Sequence, residues 1–359
     1  MKIVQIIPSL RLAGAERVCE YLSLALKEKE QEVVVISFYG FRTSISERLE
    51  ANGIKVIYLD KKSGFDFSII GKLKKAIKSV NPDLIHTHLG TLIYCFLATL
   101  GMKKRRWIHT VHSVASEEAK GMRRRLRKYC FQHNKIVPVA LSAEIQKTIV
   151  ELYKLDTDSV SVVLNGIELG KCIVKTEYTC DGNFEIIHIG RFMYEKNHLE
   201  LIRAFKIFHE KYPDSTLRLV GEGELFDEVK ACVETLALSD SVEFMGMQSN
   251  VYGFLNTADM FTLPSIFEGI PMTLAEAMGT GLPIVATAVG GVPDMLENNV
   301  NALLCEVDAE KIAECFEKYY LDEQLRERHG KAALERSKAF SAEEMARKYL
   351  AIYKGTELV

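Results

Sequence analysis

The run KIVQIIPSLRLAGAERVCEYLSLALKEKEQEVVVISFY, Lys2–Tyr39, decides the fold class. Its opening, Lys2–Pro8, is a short β-branched stretch and reads as a buried strand. Ala15–Lys29 then places Val18, Leu22 and Leu26 on one face of a helix. Glu32–Tyr39 is a second strand of the same kind. Strand, helix, strand at this spacing implies parallel pairing in a sheet covered on both faces. The pattern continues through Lys55–Asp60, Asp83–His88, Trp107–His112, Lys135–Ser142 and Ser159–Leu164, and the turn Asn165-Gly166 closes it. Lys171–Gly182 has no periodicity and reads as a linker. A second series follows at Phe184–Gly190, Thr216–Val220, Val242–Gly246, Met260–Pro264 and Pro283–Val289, with helices such as His198–Tyr212 and Glu224–Leu236 between. After Asp308 the chain reads as mostly helical. The expectation is an α/β protein of two Rossmann-like, doubly wound parallel sheets, with domains at 1–165 and 166–341. Ligands then belong in the loops at the carboxyl ends of the strands.

The 359 residues are 48% apolar and 26% charged, which excludes disorder, collagen-like repeats and coiled coil. The net charge of −2 conceals a split. Residues 1–165 carry 27 Lys and Arg against 16 Asp and Glu; the remainder carries 19 against 32. A basic half suits an anionic lipid surface or nucleic acid. No stacking-aromatic module accompanies it, so nucleic acid is not expected. The eight cysteines form no CxxC pair and fit no zinc spacing, which points to a reduced, cytoplasmic compartment. Met1–Leu10 is a short apolar run broken at Pro8, and no signal peptide is expected. The longest apolar stretch, Leu89–Met102, is shorter than the roughly 20 residues a membrane-spanning helix needs.

The most informative loop is LPSIFEGIPMTLAEAMGTG, Leu263–Gly281. A strand ends near Pro264 and a helix starts near Thr273, so free amides and the helix dipole favour a phosphate there. Glu268 lies in the loop and Glu276 in the first helical turn; a plain capping box, Thr273-x-x-Glu276, is the bland alternative. In HIGRFMYEKN, His188–Asn197, Arg191 and Lys196 follow a strand end and could neutralise a diphosphate, or could be ordinary surface cations. Gly14 precedes the first helix where a phosphate could approach. There is no GxGxxG and no Walker lysine, which disfavours a nicotinamide dehydrogenase. Gly221-Glu222-Gly223 follows a strand and permits close backbone approach, or is a structural turn. His109 and His112 end one strand; His86 and His88 end the preceding one and must share a face. Asp156-x-Asp158 reads as a solvated turn. In KGMRRRLRK, Lys120–Lys128, the residues Arg124, Arg127 and Lys128 share a helical face, which suits an anionic membrane surface or is simply solvated.

Together these segments resemble glycosyltransferase family 4, retaining enzymes of the GT-B fold. The resemblance spans nearly the whole chain and is strongest over residues 184–296. There Gly190-Arg191 with Glu195-Lys196, Gly221-Glu222-Gly223, Phe244-x-Gly246, Pro264-Ser265 with Glu268-Gly269, Glu276-Ala277 and Gly290-Gly291-Val292-Pro293 fall in the family's order. The resemblance implies that Arg191 and Lys196 bind the donor diphosphate and that Glu276 binds the ribose. It implies that Glu268, with amides of the loop Gly269, Ile270 and Met272, holds the transferred sugar. Thr273 and Leu274 would present amides to the diphosphate, Gly221, Gly246 and Met247 would lie by the nucleotide, Gly14 would approach the donor, and His112 would lie near the reacting sugar. The sequence departs from the family pattern at Ala13 before Gly14, at Asn197 after the Glu-Lys pair, and at Pro271, which lacks an N–H. The last helix, about Ala342–Lys354, is expected to complete the first domain. The implied activity is metal-independent, retaining hexosyl transfer from a nucleoside-diphosphate sugar, a UDP-sugar above all, to a glycan or lipid-linked acceptor in surface polysaccharide synthesis. No cofactor is implied, and the setting would be peripheral on the inner face of the membrane. A GT-B-type nucleotide-sugar 2-epimerase and a non-catalytic nucleotide-sugar-binding protein are the alternatives.

Overall fold

The computed structural model describes residues 1–356 apart from Leu12, Phe65, Asn134, Asp181 and Ser249. The chain divides into two compact units, Met1–Ile167 with the segment from Ser341 onward, and Glu168–Phe340.

In the first unit seven strands run parallel: β1 (Lys2–Ile7), β2 (Glu32–Ser37), β3 (Lys55–Tyr58), β4 (Leu84–His88), β5 (Arg106–Val111), β6 (Val137–Ala140) and β7 (Ser161–Val162). Their order is β3-β2-β1-β4-β5-β6-β7. The β-branched runs form the central strands because both faces are covered: Ile3, Val4, Ile6 and Ile7 have no exposed surface. The helix Gly14–Glu28 buries Val18, Leu22 and Leu26, the face its periodicity marks. Each such fully buried aliphatic side chain contributes about 1.5–3 kcal/mol.

The helix Ala342–Lys354 packs into this unit; the final residues 357–359 lie outside the described residues. It is tied down by hydrogen bonds between Tyr353 Oη and His86 Nδ1 (2.7 Å) and between Tyr349 Oη and Thr110 Oγ1 (2.7 Å). Gly166 marks where the chain re-enters: a side chain there would sit 2.4 Å from the Ser341 carbonyl oxygen. The Ala342 amide donates to the Ile167 carbonyl beside it (2.7 Å).

The second unit has six parallel strands: β8 (Phe184–Ile189), β9 (Ser215–Val220), β10 (Val242–Gly246), β11 (Met260–Leu263), β12 (Ile284–Thr287) and β13 (Leu303–Cys305). Their order is β10-β9-β8-β11-β12-β13. β13 is not legible in the sequence because only three residues pair at the sheet edge. The expected linker is strapped to this unit rather than free. The Lys175 amide donates to the Thr280 carbonyl (2.8 Å), Tyr178 Oη to the Gly281 carbonyl (2.8 Å), and the Arg326 guanidinium to the Tyr178 carbonyl (2.8 Å). These bonds, all to main-chain carbonyls, leave no side-chain periodicity to read.

Candidate active site

The strand order of the second unit reverses between β8 and β11, and the loops after these two strands meet at that switch point. The Ile266 amide donates to the Glu195 carbonyl (2.8 Å), and Asn197 Nδ2 to the Pro264 carbonyl (3.2 Å). Lys196 Nζ lies 2.6 Å from Glu268 Oε1, and Ser265 Oγ donates to the same oxygen (2.6 Å). Glu268 is only 7% exposed, so this charge-assisted pair is well shielded from water.

Glycines make this meeting possible. A side chain at Gly190 would come within 2.8 Å of His188 Nε2 and 3.3 Å of Lys196 Cδ, so only glycine lets the lysine stem lie along the strand end. Gly290 has φ +51°, and a Cβ there would fall 1.9 Å from the Glu268 carbonyl oxygen. A Cβ at Gly291 would fall 2.1 Å from the Gly269 carbonyl oxygen, while its amide donates to the Glu268 carbonyl (3.1 Å). The Gly290-Gly291 step thus clamps the backbone of Glu268 and Gly269. Asn197 takes the left-handed backbone, φ +56°, that its departure from glycine requires. His188 donates from Nδ1 to the Thr262 carbonyl (2.9 Å), and burial pushes its pKa down to about 4, so its ring adds no positive charge beside Lys196.

The helix Met272–Thr280 starts directly after this loop. Its N-cap is Pro271, which makes no side-chain cap, so the capping-box alternative for Thr273 and Glu276 does not form. The first amide bonded back is that of Ala275, to the Pro271 carbonyl (3.3 Å). The amides of Met272, Thr273 and Leu274 precede it and have no intrahelical acceptor, which makes a place for an anion. Glu276 is 8% exposed, and its Oε1 accepts from Tyr252 Oη at 3.5 Å. Arg191 is exposed, and its guanidinium bonds to no described residue. Met247 is 60% exposed beside Gly246, which has φ +63°. Gly221 and Gly223 answer to packing: side chains there would fall 2.0 Å from the Gly190 carbonyl oxygen and 2.3 Å from that of Phe192. Their structural-turn reading therefore accounts for both, and Gly221 needs no ligand to explain it.

The site of the second unit therefore joins Lys196 and a helix N-terminus with a buried carboxylate on either side in sequence, and the exposed Arg191 lies in the same loop as Lys196. Such a set suits a diphosphate flanked by hydroxyl-bearing rings.

In the first unit Gly14 opens the first helix and is exposed. No described atom lies within 4 Å of the place a Cβ would take there, and its φ is not positive. His86 and His88 share a face, as two strand residues must, and both are fully buried. His112 is half-buried, with Nε2 3.0 Å from His88 Nδ1. Its amide donates to Glu118 Oε2 (2.9 Å), and burial pushes its ring pKa down to about 4. His109 is fully buried.

The expected membrane face needs correction. Arg127 is 3% exposed, with Nη2 3.3 Å from Glu118 Oε1 and 3.4 Å from the Leu89 carbonyl oxygen. Arg124 is half-buried and donates to the Ala119 and Ser116 carbonyls (3.1 and 3.3 Å), and Lys128 is half-buried. The helix Gly121–Gln132 instead exposes Met122 (78%), Arg123, Arg125 and Tyr129 (44%). Glu118 causes the difference. Burial alone would raise its carboxyl, but the His109 contact and the Arg127 guanidinium hold it at about 2, and it draws Arg127 inward. Residues that sequence reasoning missed are Glu118, Tyr252 and Gln5, which is a polar residue inside a β-branched strand and so demands a partner.

Comparison with known proteins places this geometry in a class. Residues 12–171 match the family Glycosyltransferase Family 4, and residues 177–336 match Glycosyl transferases group 1. The chain belongs to glycosyltransferase family 4, and it is a transferase enzyme of the GT-B fold. It is 28% identical to the GalNAc-alpha-(1->4)-GalNAc-alpha-(1->3)-diNAcBac-PP-undecaprenol alpha-1,4-N-acetyl-D-galactosaminyltransferase of Campylobacter jejuni, covering 98% of this chain and 97% of that one. It is 28% identical to the UDP-Gal:alpha-D-GlcNAc-diphosphoundecaprenol alpha-1,3-galactosyltransferase of Escherichia coli, covering 68% and 67%. Its fold matches that of Anabaena Alr3699/HepE in complex with UDP, with a TM-score of 0.83 at 19% identity over 99% of this chain and 100% of that one. No helix among the described residues is long and apolar enough to cross a membrane.

Proposed function

We propose that this enzyme transfers a hexosyl or N-acetylhexosaminyl unit from a UDP-sugar to a lipid-linked glycan, with retention at the anomeric carbon and without a metal. The observation that carries the reading is the shielded Lys196–Glu268 pair set against the uncapped helix at Met272. Lys196, Arg191 and the amides of Thr273 and Leu274 supply the positive potential that a departing diphosphate needs. Glu276 accepts the ribose hydroxyls, and Glu268 with the amides of Gly269 and Met272 orients the sugar. Gly246 and Met247 lie by the base.

The acceptor hydroxyl attacks the anomeric carbon from the side of the leaving group. The bond from that carbon to the diphosphate oxygen breaks, and the departing diphosphate takes the acceptor proton. Glu268 positions the sugar in this scheme. Gly14 supports a ligand role in the first unit, since neither its backbone conformation nor any described atom of that unit demands glycine there. Relatives that act on undecaprenol-linked glycans support a membrane-borne acceptor. The exposed face Met122, Arg123, Arg125 and Tyr129 then suits peripheral contact with an anionic leaflet.

Calorimetric titration with UDP, GDP and ADP, each with and without chelator, tests the donor assignment. UDP is expected to bind with micromolar affinity in chelator, and Glu276→Ala to weaken it about tenfold or more. Folded protein that binds no nucleotide, or binds only with divalent metal, overturns the reading.

A further inference from the structure

The first unit contains a line of buried polar groups that the chemistry above does not use. Ser23 Oγ donates to the Cys19 carbonyl (2.7 Å), which spends its only hydrogen. Ser23 Oγ can therefore only accept from Gln5, whose Nε2 lies 2.8 Å away. That fixes the Gln5 amide with Oε1 pointing the other way, 2.9 Å from His88 Nε2. A carbonyl oxygen only accepts, so His88 carries its hydrogen on Nε2. Gln5, Ser23 and His88 are all fully buried, and burial, the largest cause, holds the His88 pKa well below 6.5. A neutral His88 with Nε2–H has a bare Nδ1, and that atom lies 3.0 Å from His112 Nε2. His112 must then be the donor at Nε2. Because His112 is also neutral at physiological pH, its Nδ1 is left with a lone pair and no hydrogen. No described residue bonds that atom. The ring is held at its root as well, because Glu118 Oε2 accepts from the His112 amide (2.9 Å).

We propose that Gln5 and His88 are positioning residues that lock His112 in one tautomer, protonated at Nε2, so that Nδ1 is presented as a bare hydrogen-bond acceptor for a sugar hydroxyl. The inference rests on the glycosyltransferase reading for the identity of that hydroxyl. The lock itself follows from the direction of four consecutive hydrogen bonds. The side chain of His112 thus accepts a hydrogen bond and does not deliver a proton. Any side chain at position 88 that offers an acceptor to His112 Nε2 satisfies the lock; one that offers none releases it. An asparagine at 88 keeps an oxygen where His88 has Nδ1, whereas a leucine keeps only the volume.

The test is ¹⁵N–¹H correlation of histidine-labelled full-length protein, in which protonated and bare ring nitrogens resonate in separate regions. The His112 signals are assigned by their loss in His112→Asn. The expected result is Nε2–H in the native protein, a mixture of tautomers in His88→Leu, and restoration of Nε2–H in His88→Asn. Hydrogen on Nδ1 in the native protein, or an unchanged tautomer in His88→Leu, overturns the proposal. Should His88→Leu fail to fold, Ser23→Ala, which unlocks the Gln5 amide, is expected to give the mixture, and an unchanged tautomer there overturns it too. The ligand is probed with UDP, with UDP-N-acetylglucosamine, and with UDP plus an octyl N-acetylglucosaminide. A shift of the Nδ1 signal with the UDP-sugar beyond that with UDP assigns the hydroxyl to the donor, and a shift only with the glycoside assigns it to the acceptor. Absence of both shifts overturns the acceptor role of Nδ1. Failure of all three nucleotides to bind in the calorimetric titration defeats the transferase reading separately, and the tautomer result still decides the lock.

Discussion

Both units reverse strand order beside their first strand, at β1/β4 and at β8/β11, yet the glycine in the loop after β1 and those in the loops after β8, β9 and β12 answer to different demands. In the second unit Gly190, Gly221, Gly223, Gly290 and Gly291 all sit where a Cβ would meet a neighbouring atom within 3 Å. They are explained by the fold and build the site indirectly, by letting loops close on one another. In the first unit a Cβ at Gly14 would meet no described atom within 4 Å and the backbone there is ordinary, so the described residues of its own unit give no reason for it. A glycine in a strand-end loop is therefore weak evidence of a ligand until the space around it is known.

The polar groups differ in the same way. The second unit keeps a charged pair and open amides at its switch point, poised for an anion. The first fills its switch point with neutral histidines joined to one another and to the tyrosines of the last helix.

The largest effect expected from breaking this contrast is in the second unit. Lys196→Ala should lower turnover about a hundredfold, close to 3 kcal/mol of leaving-group stabilisation, in a steady-state UDP-release assay. Near-native turnover would remove the diphosphate role from Lys196. Next comes the glycine contrast itself. Gly290→Ala should cost about 2 kcal/mol of stability, because the chain must move to admit a Cβ at a left-handed position. Gly14→Ala should leave the melting temperature unchanged while reducing donor affinity. Thermal melts paired with UDP titration separate the two, and a destabilised Gly14→Ala would dissolve the distinction. The smallest effect is Tyr353→Phe, which removes one buried hydrogen bond to His86 and should cost about 1 kcal/mol in urea denaturation.

Most of the fold is legible in the sequence because the strands are buried on both faces and so are spelled in β-branched runs. β13 escapes because a three-residue edge pairing leaves almost no composition to read. At the site, Lys196, Glu268 and Glu276 are legible as types at a strand end. Ser265 is legible only as part of the Pro264-Ser265 motif, and its partner role is not; Tyr252 has no signal at all, since it reaches Glu276 from a separate helix. Arg127 misleads for a related reason. Helical spacing groups it with Arg124 and Lys128, but spacing cannot show that Glu118, at the end of the separate short helix Ala115–Glu118, pulls it inside. The direction of the hydrogen bonds from Ser23 to His112 is equally beyond sequence, because it depends on which atom of each side chain faces which.

The return of the chain at Ser341 has a consequence for biosynthesis. The tyrosines that seal His86 and Thr110 lie in the last helix, so the first unit is left open while the entire second unit, Glu168–Phe340, is being translated. At roughly 5–20 residues per second that interval lasts on the order of 10–35 s. Over that time the nascent first unit presents an apolar seam along its first helix, and the ribosome-bound chain is exposed to chaperones and proteases in a form the finished enzyme never shows.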